Sequence, residues 1–268
     1  MPKASRAGHP IYWTEFGRGR RAALGLHCSL SHSGSWSGIM RGLGGVLHLT
    51  APDLPGHGQS APWDGATEIQ ALSTAIAAEF LTGPTDIIGH SFGATVALRL
   101  AVEHPGLVRS LILYEPVFFA VALADHPQMR ARHALEMSGY AKGIEAGDMA
   151  AAAQAFLRVW GDGRAWDDLP GAVRAGLAAQ MPLIEAAAPA LYEDAGGMLA
   201  SGALARVAAP VLLLEGSASP AIITAINEGL AARLPQAARA VIAGAGHMGP
   251  MTHPQQTGAE VLRFLGET

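Results

Sequence analysis

Short unbroken apolar runs alternate with amphipathic helical stretches along this chain, and that alternation limits the folds open to it. Residues 22–27, 46–50, 86–89 and 111–114 are runs of buried-strand type. Helical periodicity fills the gaps at 36–43, 67–81 and 94–103. Strands apolar on both faces need cover on both, and helices between successive strands supply it. The expectation is an α/β fold: a mostly parallel, doubly wound sheet flanked by helices. Residues 10–16 read as an edge strand, ended by Gly17-Arg18-Gly19-Arg20. From 117 to 207 strand signals vanish, and Ala-rich helical stretches with scattered methionines take over. Strand character returns at 210–214 and 239–242, with helices at 222–234 and 255–265. The expected organisation is a core of residues 1–116 and 208–268, with 117–207 inserted as a helical unit.

Composition narrows the function. Half the residues are hydrophobic, ample for a packed core. A net charge of −4 without a Lys/Arg cluster argues against a nucleic-acid partner. Cys28 is the sole cysteine, which excludes an internal disulfide framework and a zinc–thiolate site. There is no uninterrupted apolar run of about 18 residues, and no signal-peptide core follows Met1. A soluble cytoplasmic protein is expected.

The segment Gly89-His90-Ser91-Phe92-Gly93 sits between the strand Asp86-Ile87-Ile88 and an amphipathic helix. In that setting G-x-S-x-G holds a serine on a tight strand-to-helix turn with its Oγ pushed out of the sheet. Crowding at the turn demands glycine, and the helix start directs N–H groups and a positive dipole end at the site. Ser91 is the candidate nucleophile, against the bland reading of a structural turn serine.

A serine needs a base, a group to orient the base, and donors for an oxyanion. Of eleven histidines, His247 stands out. It lies just past a strand in Gly244-Ala245-Gly246-His247-Met248-Gly249-Pro250, where a glycine loop can carry imidazole over the sheet's carboxyl edge. His253, before Pro254, reads as structural; His90 and His104 receive no proton-transfer role. The Phe92 N–H is one expected oxyanion donor. The second is expected from the polar loop after an early strand, with Ser29 the candidate and Cys28 the fallback. Nothing around Cys28 would lower its pKa, so it reads as a buried bystander.

These motifs, in this order, resemble the α/β-hydrolase fold superfamily over essentially the whole chain. Gly89–Gly93 resembles the family's nucleophile elbow. Leu26-His27-Cys28-Ser29 resembles its oxyanion loop, where glycine is usual at the Cys28 position. Asp53-Leu54-Pro55-Gly56-His57-Gly58-Gln59-Ser60 is similar to the family's D-x-x-G-x-G-x-S loop, and Gly246-His247 to its histidine loop. The resemblance implies that 117–207 is a cap over the site. Asp53 is assigned no catalysis, since its loop suits a fixed turn.

One departure matters. In many family members the acid is an aspartate in a G-x-x-D after the strand that follows the cap; here Gly216-Ser217-Ala218-Ser219 puts Ser219 there. A hydroxyl cannot stabilise imidazolium as a carboxylate does. The strand-end carboxylates are Asp53, Glu115 and Glu215. Glu115 ends the strand after the nucleophile helix, and right-handed crossover sets that strand beside the Ser91 strand. By resemblance, haloalkane dehalogenases take their acid from this strand end. Glu115 is therefore the expected acid, with a merely structural Glu115, bonded to loop backbone, as the alternative.

The expected function is hydrolysis of a small-to-medium hydrophobic carboxylic ester through an acyl-enzyme, without metal or organic cofactor. The partner expected is a small ester-like molecule. Thioester, lactone or carbon–carbon bond hydrolysis on the same groups stays open, as does a weakly catalytic ligand-binding protein of the same fold.

Overall fold

The computed structural model describes residues 3–268. Among them, β1 (Lys3–Arg6), β2 (His9–Phe16), β3 (Arg21–Leu26), β4 (Leu47–Pro52), β5 (Thr85–His90), β6 (Val108–Tyr114), β7 (Val211–Gly216) and β8 (Ala237–Ile242) form one sheet. The order is β1-β2-β4-β3-β5-β6-β7-β8. The β1–β2 and β2–β4 pairs are antiparallel, and every other pair is parallel. The expected α/β sheet is present.

The edge position expected for residues 10–16 is corrected. β2 is interior, with β1 paired outside it from Lys3↔Tyr12 to Arg6↔His9. Four residues of Lys-Ala-Ser-Arg carry no apolar alternation, so β1 leaves no sequence signal. Ala7 and Gly8 close the hairpin, both with positive φ (46° and 77°), as a tight two-residue reversal requires.

The helices are α1 (Ser37–Leu43), α2 (Ile69–Ala78), α3 (Phe92–Glu103), α4 (Phe119–Asp125), α5 (Met129–Glu136), α6 (Ser138–Glu145), α7 (Met149–Trp160), α8 (Gly171–Ala179), α9 (Met181–Tyr192), α10 (Ala221–Ala231), α11 (Gly249–Thr252) and α12 (Pro254–Glu267). Strand alternation splits the core into two layers. Leu24, Ile87, Leu111 and Leu213 pack with residues of α2, α3, α4 and α10. Ala23, Ile88, Ile112 and Leu212 face the other way, onto Ile39 and Leu43 of α1 and Val261 and Phe264 of α12. Each fully buried Leu or Ile contributes about 1.5–3 kcal/mol, which makes this two-sided burial the main support of the fold.

At the end of the sheet away from Ser91, Asp86 ties three strands together. Its buried carboxylate accepts from Arg21 Nε and Nη2 (2.9 Å each), Arg109 Nε (3.0 Å) and Nη2 (2.8 Å), and Ser110 Oγ (2.8 Å).

Between β6 and β7 the described residues contain helices and no strand. α4 packs on α10 and so belongs with the sheet layers. α6 through α9 pack on one another around Tyr140, Ala152, Ala153 and Met181. Gly143 permits this closeness, since a Cβ there would sit 2.5 Å from Ala152 N.

Candidate active site

β5 delivers Ser91 to the carboxyl edge of the sheet. Ser91 has φ 56° and ψ −119°, a conformation costly for a side-chain-bearing residue, and α3 begins at once with Phe92. A Cβ on Gly89 would strike the backbone of Gly93 and Ala94, and one on Gly93 the backbone of Leu26 and His27. Glycine at both positions is therefore steric necessity. Phe92 N–H lies in the first helical turn, where no intrahelical acceptor exists.

β6 delivers Glu115. It too has positive φ, 46°, and is fully buried. The strained turn ends the strand and precedes Pro116. The loop after β8 delivers His247. Its Nδ1 lies 2.7 Å from Glu115 Oε2 and its Nε2 2.9 Å from Ser91 Oγ. A carboxylate at Nδ1 requires the proton there, so Nε2 presents its lone pair and Ser91 Oγ donates to it. Glu115 Oε1 accepts from Gly216 N–H (2.7 Å) and from Ser219 Oγ (2.5 Å). The structure thus brings Ser91, Glu115 and His247 into one chain of hydrogen bonds.

Two side chains hold the histidine loop. His90 Nε2–H donates to the His247 carbonyl (2.8 Å), and Tyr114 Oη–H to the Gly246 carbonyl (2.9 Å). Burial, then the neighbouring His247, pushes His90 down to about 3, so it stays neutral. The Trp160 ring of α7 meets the His247 ring edge-on, with centroids 4.9 Å apart. Sequence reading missed His90, Tyr114, Trp160 and the service of Ser219. Only His90, inside the elbow, carried any local signal.

The other carboxylates and histidines are engaged elsewhere. Glu215 accepts from Asn227 Nδ2 (2.8 Å) and Thr224 Oγ1 (3.1 Å), with Arg239 at 3.6 Å. Asp53 accepts from Ser33 N–H (2.6 Å) and Gln59 N–H (2.7 Å), which fixes its loop. His253 stands at the residue before α12 without a side-chain bond to the helix, and its Nδ1 meets Thr252 Oγ1 at 2.9 Å. His27 donates from Nδ1 to Cys28 O (2.7 Å) and accepts Leu54 N–H at Nε2 (2.9 Å). Burial raises the Cys28 thiol to about 12.

Ser91 and His247 open into a cavity of about 360 Å³. Ser29 and Cys28 line it on one side. Apolar groups from the helical segment, among them Phe156, Trp160, Leu177 and Leu191, form much of the rest. No cluster of three or more His, Cys, Asp or Glu among the described residues is arranged to ligate a metal. No described helix is long and apolar enough to cross a membrane.

Residues 23–260 match the profile of the Alpha/beta hydrolase family. The chain belongs to that family. This hydrolase is 41% identical over 113 residues to a pimeloyl-[acyl-carrier protein] methyl ester esterase of Neisseria meningitidis serogroup C. That match covers 40% of the chain and 43% of the relative. It is 30% identical over 257 residues to the protein of the same name from Methylococcus capsulatus, covering 94% and 97%. A thermophilic esterase from Thermogutta terrifontis shares the fold, with a TM-score of 0.72 at 20% identity, over 99% of this chain and 98% of that one.

Proposed function

We propose that this hydrolase cleaves a small-to-medium carboxylic ester, with Ser91 as nucleophile, His247 as general base and acid, and Glu115 as the group that orients and stabilises imidazolium. The observation that carries the reading is the unbroken Ser91–His247–Glu115 relay, with contacts of 2.9 and 2.7 Å. His247 Nε2 takes the Ser91 proton as Oγ attacks the carbonyl carbon. The N–H groups of Phe92 and Ser29 receive the developing oxyanion. Collapse expels the alcohol, which takes its proton from His247. Water then enters and attacks the acyl carbon as His247 takes its proton; collapse breaks the bond to Ser91 Oγ, which takes that proton back from His247, and the acid leaves. Glu115 stays ionised throughout and offsets the charge on His247.

The relatives' printed names specify methyl esters of a protein-bound acyl chain. A small leaving alcohol and a longer acyl group in the apolar cavity agree with those names. Within the same proposal, residues 117–207 form the cap that roofs the site, with α4 as its root on the core. A cytoplasmic setting suits the lone reduced Cys28.

A fluorophosphonate probe tests the reading. It should label the wild-type protein at Ser91, and Ser91→Ala should lose both labelling and hydrolysis of short p-nitrophenyl esters. Folded wild-type protein that takes no label and cleaves none of these esters would overturn it.

A further inference from the structure

Five side-chain-bearing residues among those described hold positive φ: Ala7, Leu30, Ser91, Glu115 and Asp194. Four have an evident reason. Ala7 turns the β1–β2 hairpin, and Ser91 and Glu115 stand in the relay. Asp194 uses its carboxylate to hold the N–H groups of Met198 (2.7 Å) and Leu199 (2.8 Å). Leu30, at φ 62°, has none of these reasons. With Ser29 it forms the centre of a turn, in a place that glycine or asparagine fills without strain.

The Ser29 side of that turn is fixed from within the core. Leu54 N–H can only donate, so His27 Nε2 accepts it (2.9 Å) and the ring proton lies on Nδ1, 2.7 Å from Cys28 O. Burial, above all, holds His27 neutral. Cys28 C=O and Ser29 N–H belong to one planar peptide unit, so the bond from His27 also sets the direction of Ser29 N–H. That N–H has no acceptor among the described residues. Downstream, Ser33 is held by Asp53 at its N–H (2.6 Å) and by Thr14 at its Oγ (2.9 Å).

Leu30 lies between these two fixed points. Its side chain packs against the cluster of Tyr140, Ala152, Ala153 and Met181, supplied by α6, α7 and α9. Leu30 and Ser29 line the cavity that Ser91 opens into.

We infer that Leu30 is a positioning residue: its side chain, seated in the α6–α9 cluster, sustains a strained turn and so keeps the Ser29 peptide in place beside the Ser91 cavity. This rests on the ester-hydrolase reading, in which Ser29 N–H receives the oxyanion. Strain of this kind persists only where the surroundings over-determine it, and the leucine seat is the contact that does so here.

Leu30→Gly separates the side chain from the backbone, because glycine adopts the same φ freely and loses only the seat. On short p-nitrophenyl esters kcat should fall at least ~10-fold with KM within about 3-fold, since oxyanion donors act in the transition state. A trifluoromethyl ketone reads the same donor in a binding measurement. Ser91 Oγ adds to its carbonyl carbon, the Oγ proton passes to His247 Nε2, and the ketone oxygen becomes the oxyanion. Its affinity should fall by the same factor as kcat/KM. Leu30→Ala keeps the strain, loses the seat and should fall at least as far. Leu30→Met conserves volume and should stay within about 3-fold of the wild type in all these measurements. An active wild type whose kcat is unchanged in Leu30→Gly and Leu30→Ala, or whose KM alone rises, would overturn the inference and leave the hydrolase reading standing. Equal losses in Leu30→Gly and Leu30→Met would also overturn it. A wild type that neither turns over ester nor binds the ketone sinks the hydrolase reading and this inference together.

Discussion

Ser219 Oγ donates to Glu115 Oε1 across 2.5 Å. Ser219, in the loop after β7, thus bonds the same carboxylate that meets His247 Nδ1, at the end of β6. β6 and β7 are parallel neighbours, paired from Leu111↔Val211 to Tyr114↔Leu214, so their ends lie side by side.

Replacing Glu115 by Gln removes the charge that stabilises imidazolium and hands Nδ1 the wrong partner. We expect kcat to fall at least ~100-fold with little change in KM. Ser219→Ala removes one of three hydrogen bonds to the carboxylate and should cost less than ~10-fold. Steady-state kinetics on one ester decide this, and full activity in Glu115→Gln would remove Glu115 from the mechanism.

Buried neutral histidines make the fold acid-sensitive. His27, His57, His90 and His133 are all held below their ordinary value, in each case chiefly by burial. The unfolded chain binds protons at these groups once pH drops below about 6.5, while the native chain does not. Stability is therefore complete above that pH and is lost on acidification, by up to about 1.4 kcal/mol per pH unit for each histidine. Thermal melts from pH 7 to pH 4 should show falling Tm. The fall should be shallower in His90→Phe, which also loses the bond to the His247 carbonyl and some kcat.

Asp86 is expected to matter for stability and not for chemistry. Burial alone would raise its pKa, but hydrogen bonds from Arg21, Arg109 and Ser110 outweigh that and lower it. Asp86→Asn leaves two guanidinium groups short of their partner and should cost about 3–5 kcal/mol, as for a broken buried pair. Denaturant unfolding would show a lower midpoint. Below the denaturation point kcat should be unchanged, because Asp86 lies at the opposite end of β5 from Ser91.

Cys28 lines the cavity yet carries a thiol raised to about 12 by burial. Almost no thiolate exists at pH 8, so iodoacetamide should neither alkylate the native protein nor inhibit it. Cys28→Ser should keep most activity. Rapid inactivation blocked by that substitution would show a reactive thiol instead.

The chain's own order of residues determined the α/β alternation, the elbow around Ser91 and the glycine loop of His247, because each rests on local backbone needs: apolar periodicity, glycine where a Cβ would collide, a turn of fixed shape. Strand adjacency follows from crossover handedness, which is why Glu115 was legible as a candidate. Tertiary packing alone decided the rest. β1 has no periodicity, and pairing with Tyr12 and its neighbours makes it a strand. The grip of His90 and Tyr114 on the 246–247 carbonyls and the Trp160 ring on His247 join residues far apart in the chain. No local pattern encodes such contacts, since they depend on where helices packed by non-directional apolar burial come to rest.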